Sequence, residues 1–325
     1  MRKLLFVASL LLTLPGAEGA VRARQPAGCE RACLDGMLSR FLDAVVAKDP
    51  TSAPLAIGFR QTQNSVLTPA GMGAWQTVTA IGPVQRRYFD PVTGNAAFFG
   101  VVTDGGQPAV ASLRVRVENG AITEGEWHIA HRGDPGISGE GSDVLFDVDK
   151  LTASPPPQRV VAPAERLPRD TLVRIVNSYF DGLVAGNGRS VLAHGGCSRF
   201  ENGLEVTGRP IRSGDPTDGF QGLGDCTSGY RSLAVALVAA RRYLLIDEEA
   251  QVVVMSAVFV RKPGDERRRN HFMEVFGIDG GLNIPVMPSM HELAIRRHGE
   301  EAVRAFPIPD FTALGRAEQT DGSAT

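Results

Sequence analysis

The segment Glu124 to His131 carries the densest group of titratable side chains in the chain. Side chains alternate between the two faces of a strand, so Glu124, Glu126 and His128 share one face. A carboxylate beside an imidazole suits general acid/base catalysis, because histidine titrates nearest to neutral pH. We therefore predict His128 and Glu126 as catalytic residues, with a solvated outer sheet face as the alternative. His131 lies on the other face, which argues against a metal site.

A second group of candidates is Arg199, Glu201 and Asn202. Arg199 and Glu201 share one face of a predicted strand, and a guanidinium keeps a neighbouring carboxylate ionised. We predict these two as catalytic residues and Asn202 as a substrate-binding residue. The alternative is a simple turn, because Asn202 and Gly203 both tolerate left-handed backbone.

Two further polar side chains are candidates for substrate binding. Tyr179 lies on an apolar helical stretch and His271 on a later strand. For Tyr179 the alternative is core packing, which is the commoner role of a tyrosine on an apolar face. The sequence contains no nucleophile elbow, phosphate-binding loop, dinucleotide fingerprint or HExxH zinc motif. We therefore predict no cofactor and no metal.

The composition is that of a globular chain long enough for two compact domains. It has 325 residues, of which 43% are hydrophobic and 22% charged, with a formal net charge of −2. Proteins that bind a nucleic-acid backbone usually carry a strongly basic face, so this balance gives no reason to expect such a partner.

The N-terminal residues 1–20 have the pattern of a secretory signal. A basic start precedes an apolar run over residues 4–14, and small residues follow at Ala17 and Gly19. The run is too short to span a bilayer, which takes about 20 residues per crossing, and no later apolar segment is longer. We expect an exported protein, periplasmic or extracellular, with a signal anchor as the alternative.

Export gives the cysteines a role, because disulfides persist in oxidising compartments. The chain contains Cys29, Cys33, Cys197 and Cys226, which allow three pairings. We favour the pairings that keep each bond within one predicted domain: Cys29 with Cys33, and Cys197 with Cys226. The first bond requires an irregular helical turn, since four-residue spacing on an ideal helix is awkward for a disulfide. Four reduced, buried thiols are the alternative.

One sequence pattern occurs twice in the same order: a helical stretch, a polar turn, a basic strand and an apolar strand. The matched segments are 39–47 with 177–185, 60–65 with 198–203, 86–90 with 241–247, and 96–102 with 252–259. The third match pairs Arg86-Arg87-Tyr88 with Arg241-Arg242-Tyr243. Each match is weak, but four in one order at similar spacing indicate an internal duplication.

The duplication defines the predicted domains. Residues 27–132 form the first domain and 169–306 the second, with a helix over 290–306 and a flexible tail over 307–325. Residues 133–168, between them, are rich in Gly, Pro and Ser, which is typical of an extended linker. Each domain has helices followed by a long antiparallel meander, which predicts an α+β fold.

Two local signals fix element ends in the first domain. The break at Asp49-Pro50 predicts the end of the first helix. The turn Glu118-Asn119-Gly120, between two strand segments, predicts a β-hairpin.

Several stretches carry a family resemblance: Cys29 with Cys33-Leu34, Asp43 with Asp49-Pro50, Thr62-Gln63-Asn64-Ser65, Gly73-Ala74-Trp75-Gln76-Thr77, Tyr179-Phe180-Asp181-Gly182 and Arg199-Phe200-Glu201-Asn202-Gly203. Through them the chain resembles two tandem NTF2-like (SnoaL-like) domains, and in particular a domain of unknown function common in secreted fungal proteins. The resemblance spans residues 29–132 and 170–290. It implies two cone-shaped domains, each with a curved antiparallel sheet wrapped around N-terminal helices. Such domains usually pair through their sheets, which implies either a monomer with internally paired domains or a homodimer.

The resemblance also implies a function. Its motifs add Asn64 and Trp75 as substrate-binding residues, in a cavity that takes a small apolar or aromatic molecule. Gln63 and Ser65 stand where the pattern has Glu and Gly, which argues against an acid/base role there. Members of this superfamily are commonly cofactor-independent lyases, isomerases or dehydratases, and one type releases formaldehyde from lignin-derived diarylpropanes. We expect an acid/base enzyme of this type, with a non-catalytic small-molecule-binding or protein-interaction module as the alternative.

Overall fold

The computed structural model describes residues 28–134, 146–155, 158, 160–193, 197, 199–205, 235–261 and 270–277. The predicted secretory signal, the predicted helix over 290–306, the predicted tail and Cys226 lie outside these residues. Within them the chain has a mixed α+β structure with few helices. Its main sheet is curved, and bulges interrupt the pairing of several strands.

The N-terminal half begins with one long helix and continues as a six-stranded sheet. Its elements are α1 (Arg31–Ala47), β1 (Leu55–Gln63), β2 (Val66–Leu67), α2 (Ala74–Thr77), β3 (Val78–Asp90), β4 (Asn95–Asp104), β5 (Gln107–Glu118) and β6 (Ala121–Ala130). The strand order is β2-β1-β6-β5-β4-β3, with β1 parallel to β6 and all other neighbours antiparallel. The β5–β6 hairpin is confirmed, and Asn119 and Gly120 take the positive φ angles that its turn requires.

Helix α1 packs on one face of this sheet because its apolar residues recur at helical spacing. The fully buried side chains of the resulting core include Leu34, Leu38, Phe41, Trp75, Phe98 and Trp127. The Phe41 and Trp75 rings meet edge to face, with their centroids 5.1 Å apart. The helix ends where Lys48 enters left-handed backbone at φ 57°. Asp49 then caps a short 3-10 helix, so the predicted helix end is confirmed.

The connection between the halves differs from the extended linker that its composition predicts. Val148–Ala153 form a helix, α3, and Pro163–Glu165 form a 3-10 turn. Asp147 caps α3 by accepting a hydrogen bond from the Lys150 N–H. Leu151 is buried in the core that joins the two halves. Gly and Pro residues indicate where helices and strands end. They do not reveal that the apolar residues between them are buried against another part of the protein.

The C-terminal half has the same order of elements over its described residues. They are α4 (Arg169–Ala185), β7 (Phe200–Glu201), β8 (Leu204–Glu205), β9 (Val235–Asp247), β10 (Val252–Arg261) and β11 (Asn270–Gly277). Helices α1 and α4 have 17 residues each, and strands β3 and β9 have 13 each. Helix α4 packs on β9 and β10 in a second helix-covered core, which includes Phe180, Val253 and Met255.

The face of the N-terminal sheet opposite α1 packs against the sheet of the C-terminal half. Their shared core contains Phe99 and Val110 from the first half, and Leu245 and Val254 from the second. Alternation along β4 explains this arrangement, since Phe98 points to the α1 core and Phe99 to the other half. Both faces of the N-terminal sheet are therefore covered.

Two buried aspartates, Asp90 at the end of β3 and Asp247 at the end of β9, join the halves. Asp90 accepts hydrogen bonds from the Ile246 backbone N–H at 3.0 Å and from Nη2 of Arg169 at 2.7 Å. Burial raises the pKa of Asp90, but the bonds from Arg169 and Ile246 outweigh it and hold the pKa below its usual value. This carboxylate is therefore ionised within the interface.

Asp247 makes the corresponding contacts with the first half. It accepts hydrogen bonds from the Phe89 backbone N–H at 3.0 Å and from Nη1 of Arg31 at 2.7 Å. Arg31 begins α1 just as Arg169 begins α4. Each half therefore supplies one aspartate at a strand end and one arginine at a helix start, and the two sets of contacts are reciprocal.

These contacts displace the predicted match between Arg86-Arg87-Tyr88 and Arg241-Arg242-Tyr243. Because Asp90 and Asp247 correspond, the counterpart of Tyr88 is Leu245, and both lie in the core between the sheets. A β-bulge in β9 shifts its pairing with β10 between Leu245 and Tyr243. An inserted residue of this kind cannot be recognised from the residue types alone. The match drawn from the sequence therefore paired Tyr88 with Tyr243 instead of Leu245.

Candidate functional site

Glu126 and His128, the first predicted catalytic pair, lie on the β6 face that packs against the C-terminal half. Their neighbours Trp127 and Ile129 alternate to the opposite face, in the core under α1. His128 is fully buried, and its Nε2 lies 3.9 Å from Oε1 of Glu126. The pair lies between the two sheets and not in the helix-covered interior, where an NTF2-like cavity is expected.

Two arginines, one from each half, hold the Glu126 carboxylate. Arg114 on β5 donates to Oε2 at 3.1 Å, and Arg242 on β9 donates to Oε2 at 3.3 Å and also to Oε1. Burial raises the pKa of Glu126, but its close approach to His128 and its hydrogen bonds from Arg242 outweigh burial and hold the pKa well below its usual range. A carboxylate engaged on both oxygens is a poor proton acceptor, so a catalytic role for this pair stays a prediction.

Sequence reasoning missed Arg114 and Arg242 as partners of Glu126. Arg114 lies directly opposite Glu126 on the neighbouring strand, so the predicted β5–β6 hairpin contained the signal that finds it. Arg242 is 116 positions away. No local pattern relates it to Glu126, because only the packing of the two sheets brings them together.

His131 lies just beyond the end of β6, between two carboxylates. Its Nε2 is 2.8 Å from Oδ2 of Asp104, and its Nδ1 is 3.5 Å from Oδ2 of Asp134. Hydrogen bonds with Asp104 and then Asp134 raise the pKa of His131 to about 9. The imidazole is therefore a cation at neutral pH, which suits an ion pair better than a general base.

Replacing His131 with glutamine is expected to destabilise the protein at pH 6 but to have little effect at pH 10. The folded-state pKa of about 9 lies above the ordinary value of 6.5. The stabilisation is therefore fully present below pH 6.5 and is lost as the pH rises through 9. Because the side chain is 34% exposed, solvent screening limits the difference to about 1 kcal/mol. Urea unfolding at the two pH values measures it, and a difference that stays constant would contradict the prediction.

Tyr179, Arg199 and Glu201 meet between α4 and the β7–β8 hairpin. Nε of Arg199 donates to Oε1 of Glu201 at 2.8 Å, and Nη1 donates to the Tyr179 hydroxyl. Arg199 Cζ also lies 5.3 Å from the centre of the Tyr179 ring. Arg199 and Glu201 are only 5% and 2% exposed. The structure thus brings three of the predicted site residues together, and we call them the Tyr179–Arg199–Glu201 cluster.

A tight hairpin positions Glu201. Strands β7 and β8 pair through Glu201 and Leu204, and the turn residues Asn202 and Gly203 have φ angles of 43° and 89°. The turn rests on α3, because the Asp147 N–H donates to the Asn202 carbonyl at 3.0 Å. The predicted turn is therefore confirmed. The turn and a functional site do not exclude each other here, because the turn fixes the strand end that carries Glu201.

The N-terminal half has uncharged side chains at the corresponding positions. Phe41, Gln61 and Gln63 stand where the C-terminal half has Tyr179, Arg199 and Glu201. Gln61 accepts a hydrogen bond from the Trp75 indole at 2.8 Å, and Gln63 accepts one from the Ala74 N–H at 2.7 Å. Helix α2 thus engages both glutamines, and the charged arrangement belongs to the C-terminal half.

The substrate-binding residues predicted in the first half are engaged within the protein. Trp75 is 1% exposed. Asn64 accepts a hydrogen bond from the Ile129 N–H at 2.8 Å and donates one to the Ile129 carbonyl at 3.2 Å. Neither residue belongs to the Tyr179–Arg199–Glu201 cluster. His271 lies on β11, where its backbone pairs with Val258 of β10.

Asn64→Gly is expected to lower the free energy of unfolding by about 2 kcal/mol, because two buried backbone groups of Ile129 lose their partners. Glycine accepts the φ of 50° at this position, so the backbone itself is not strained by the change. Urea unfolding measures the loss. Asn119→Gly, at φ 51° in an exposed turn, is the matched control and should change stability by under about 0.5 kcal/mol. Equal losses in the two variants would contradict a role for the Asn64 amide.

Cys29 and Cys33 form a disulfide, with their Cα atoms 5.2 Å apart. Cys29 precedes the first residue of α1, so the bond closes over the irregular start of the helix, as the spacing requires. Cys197 is also disulfide-bonded. Among the described residues, no group of three or more His, Cys, Asp or Glu side chains could hold a metal ion. None of the helices in those ranges is long and apolar enough to cross a membrane.

Comparisons with known proteins give a family match for the C-terminal half. The model of a domain of unknown function, DUF8021, matches residues 165–296, which include the Tyr179–Arg199–Glu201 cluster. Among solved structures, a protein of unknown function with a cystatin-like fold from Methylobium petroleophilum PM1 is similar. It shares 20% sequence identity, covers 43% of this chain and 99% of its own, and has a TM-score of 0.27. No curated protein matches the chain.

Proposed function

We propose that this protein is an exported, cofactor-independent enzyme of the lyase, isomerase or dehydratase type, which acts by general acid/base catalysis in its C-terminal half. The observation that carries the proposal is the Tyr179–Arg199–Glu201 cluster. Its two charged members are almost completely buried. They lie where the N-terminal half places two neutral glutamines.

Burying the charged side chains of this cluster costs free energy, and packing does not require side chains that are charged. Removing a carboxylate and a guanidinium from water costs several kcal/mol per ion, and apolar replacements of similar volume are often neutral or stabilising. The N-terminal half shows that the corresponding positions tolerate neutral side chains. Because the fold does not require charged side chains at these buried positions, their presence favours a chemical role.

Glu201 and Tyr179 suit the roles of base and acid. Arg199 binds Glu201 through Oε1, which favours the ionised carboxylate and orients it as a proton acceptor. The Tyr179 hydroxyl accepts a hydrogen bond from Arg199, so its own proton is directed to another acceptor and can be donated. The guanidinium contacts both groups and stabilises the charge that shifts between them.

The finer architecture belongs to the same proposal: two successive NTF2-like domains that pair through their sheets within one chain. It is supported by the shared order of elements, by the core between the sheets and by the reciprocal contacts of Asp90 and Asp247. Export is supported by the Cys29–Cys33 disulfide, because such bonds persist in oxidising compartments.

The proposed substrate is a small apolar or aromatic molecule, and a diarylpropanediol derived from lignin is the sharpest test. Glu201 takes the proton of the primary alcohol, and the carbon–carbon bond to the hydroxymethyl carbon breaks to release formaldehyde. The electron pair of that bond forms the stilbene double bond as the benzylic hydroxyl leaves. Tyr179 protonates the leaving hydroxyl, so water is the remaining product.

Glu201→Gln is expected to slow formaldehyde release by about 100-fold or more, because an amide keeps the shape of the side chain but cannot accept the proton. Trapping of formaldehyde and the absorbance of stilbene follow the two products independently. Glu118→Gln makes the same chemical change at a side chain that is 46% exposed, and it should retain the wild-type rate.

Three outcomes would count against parts of the proposal. Absence of both products with the wild-type protein would overturn the diarylpropane assignment. Equal rates in the Glu201 and Glu118 variants would overturn the role of Glu201 as base. Binding of the diol without turnover would favour a non-catalytic binding module.

A further inference from the structure

A disulfide-bonded cysteine precedes the charged residues of the Tyr179–Arg199–Glu201 cluster. Cys197 is half-buried and forms a disulfide, and Arg199 follows it two positions later. Two residues of fully extended chain span at most about 7 Å. A bond that restricts the backbone at Cys197 therefore also restricts the backbone that carries the Arg199 side chain.

The β7–β8 hairpin holds the other end of this short segment. Strand β7 begins at Phe200, one residue after Arg199, and ends at Glu201. The turn that follows is held against α3 by the hydrogen bond from the Asp147 N–H to the Asn202 carbonyl, at 3.0 Å. The two charged members of the cluster thus lie between a disulfide and an anchored turn.

The first half has a different arrangement at the corresponding positions. Gln61, which corresponds to Arg199, lies within β1 and pairs with β6. Phe59 corresponds to Cys197, and its ring packs against Phe41 with the centroids 6.0 Å apart. Strand β1 has nine residues, whereas β7 has two. The neutral half therefore places its side chain by strand pairing and aromatic packing, and the charged half has a covalent bond at the same place.

We propose that the Cys197 disulfide positions Arg199 for catalysis and that its reduction makes the site inactive. The proposal rests on the proposed function, in which Arg199 contacts both the base and the acid. Its Nε lies 2.8 Å from Oε1 of Glu201, and a displacement of about 1 Å in such a site can cost about 100-fold in rate. In the reduction, a dithiol supplies two electrons and two protons, the S–S bond becomes two thiols, and the dithiol closes to its own disulfide.

Removal of the bond is expected to lower kcat for the diol about tenfold or more and to leave KM within about threefold, because Arg199 stabilises charge that develops in the transition state. The variant combines Cys197→Ser with Cys226→Ser, which are the two cysteines that remain once Cys29 and Cys33 are bonded to each other. The matched control combines Cys29→Ser with Cys33→Ser and should keep the wild-type kcat. Equal kcat values in the two variants would overturn the proposal.

Reduction tests the same bond without a change at Cys197. Dithiothreitol is added to the control variant, in which the Cys29–Cys33 bond is already absent. Stilbene absorbance follows the reaction, because thiols trap formaldehyde. Activity should fall before the circular-dichroism signal changes, and reoxidation should restore it. Simultaneous loss of activity and structure would show that the bond is only structural, and this order of events decides the question even where the serine variant does not fold.

An NMR signal of Arg199 reports its position without any turnover. Its Nε–H is bonded to Glu201, and Arg199→Lys, which lacks this group, identifies the signal in protein that contains isotope-labelled arginine. Removal of the Cys197 bond should shift the signal and speed its exchange with solvent about tenfold or more. The control variant should leave both unchanged.

Failure of the proposed function gives a different result from failure of this inference. If the diol yields no product but the Arg199 signal responds as expected, the catalytic proposal fails and the positioning of Arg199 by the disulfide stands. If turnover and the Arg199 signal are both unchanged without the bond, the positioning role fails and the catalytic proposal stands.

Discussion

Replacing Asp247 with alanine is expected to lower the free energy of unfolding by about 4 kcal/mol, because it removes the acceptor from a buried ion pair and from several buried amides. Asp247 is fully buried and accepts from Arg31 at 2.7 Å and from the Phe89 N–H at 3.0 Å. It also accepts from the backbone N–H groups of Glu249 and Ala250, at 3.1 and 3.0 Å. Alanine satisfies none of these donors.

Urea unfolding followed by circular dichroism measures this loss. Asp247→Asn keeps an acceptor oxygen and the size of the side chain, so its loss should be smaller than that of alanine. Glu248→Ala is the control at the neighbouring position, where the side chain is 48% exposed, and its effect should stay within about 0.5 kcal/mol. A loss below about 1 kcal/mol in Asp247→Ala would show that the donors find other partners.

The features of the fold that could be predicted are those set by neighbours in the chain. The end of α1 follows from the Asp49-Pro50 break, and the β5–β6 hairpin follows from Asn119-Gly120 between alternating segments. Helix α3 has no comparable signal. It is six residues long and buries Val148 and Leu151, so it depends on a surface that both sheets supply.

The candidate site likewise has features that neighbours in the chain predict and features that depend on distant parts of the chain. Arg199 and Glu201 are two positions apart, so strand alternation alone predicted their ion pair. Tyr179 joins them from α4, and its place in the repeated helical motif indicated that it belongs to the same domain. For Glu126 and His128, strand alternation correctly predicted that both side chains lie on one face of β6. It could not show which part of the protein covers that face. That depends on how the two sheets pack, which no local pattern in the sequence reports.

The combined variant Tyr179→Phe, Arg199→Met and Glu201→Leu is expected to be inactive and yet as stable as the wild type, or more stable by about 1–4 kcal/mol. Apolar side chains of similar volume remove the desolvation cost of the ion pair, and Phe41 already occupies the corresponding helix position in the first half. Glu201→Leu alone removes the carboxylate that pairs with the buried Arg199 guanidinium, so this single change should destabilise the protein by about 3–5 kcal/mol.

The comparison of these two variants separates a catalytic role of the cluster from a structural one. Urea unfolding measures the stabilities, and release of formaldehyde from the diol measures the activity. If the charges are present for chemistry, stability returns when all three polar groups are removed together, while activity does not. A combined variant that is as unstable as Glu201→Leu would instead show that the fold of the C-terminal half requires the ion pair, and the energetic argument for a catalytic site would fail.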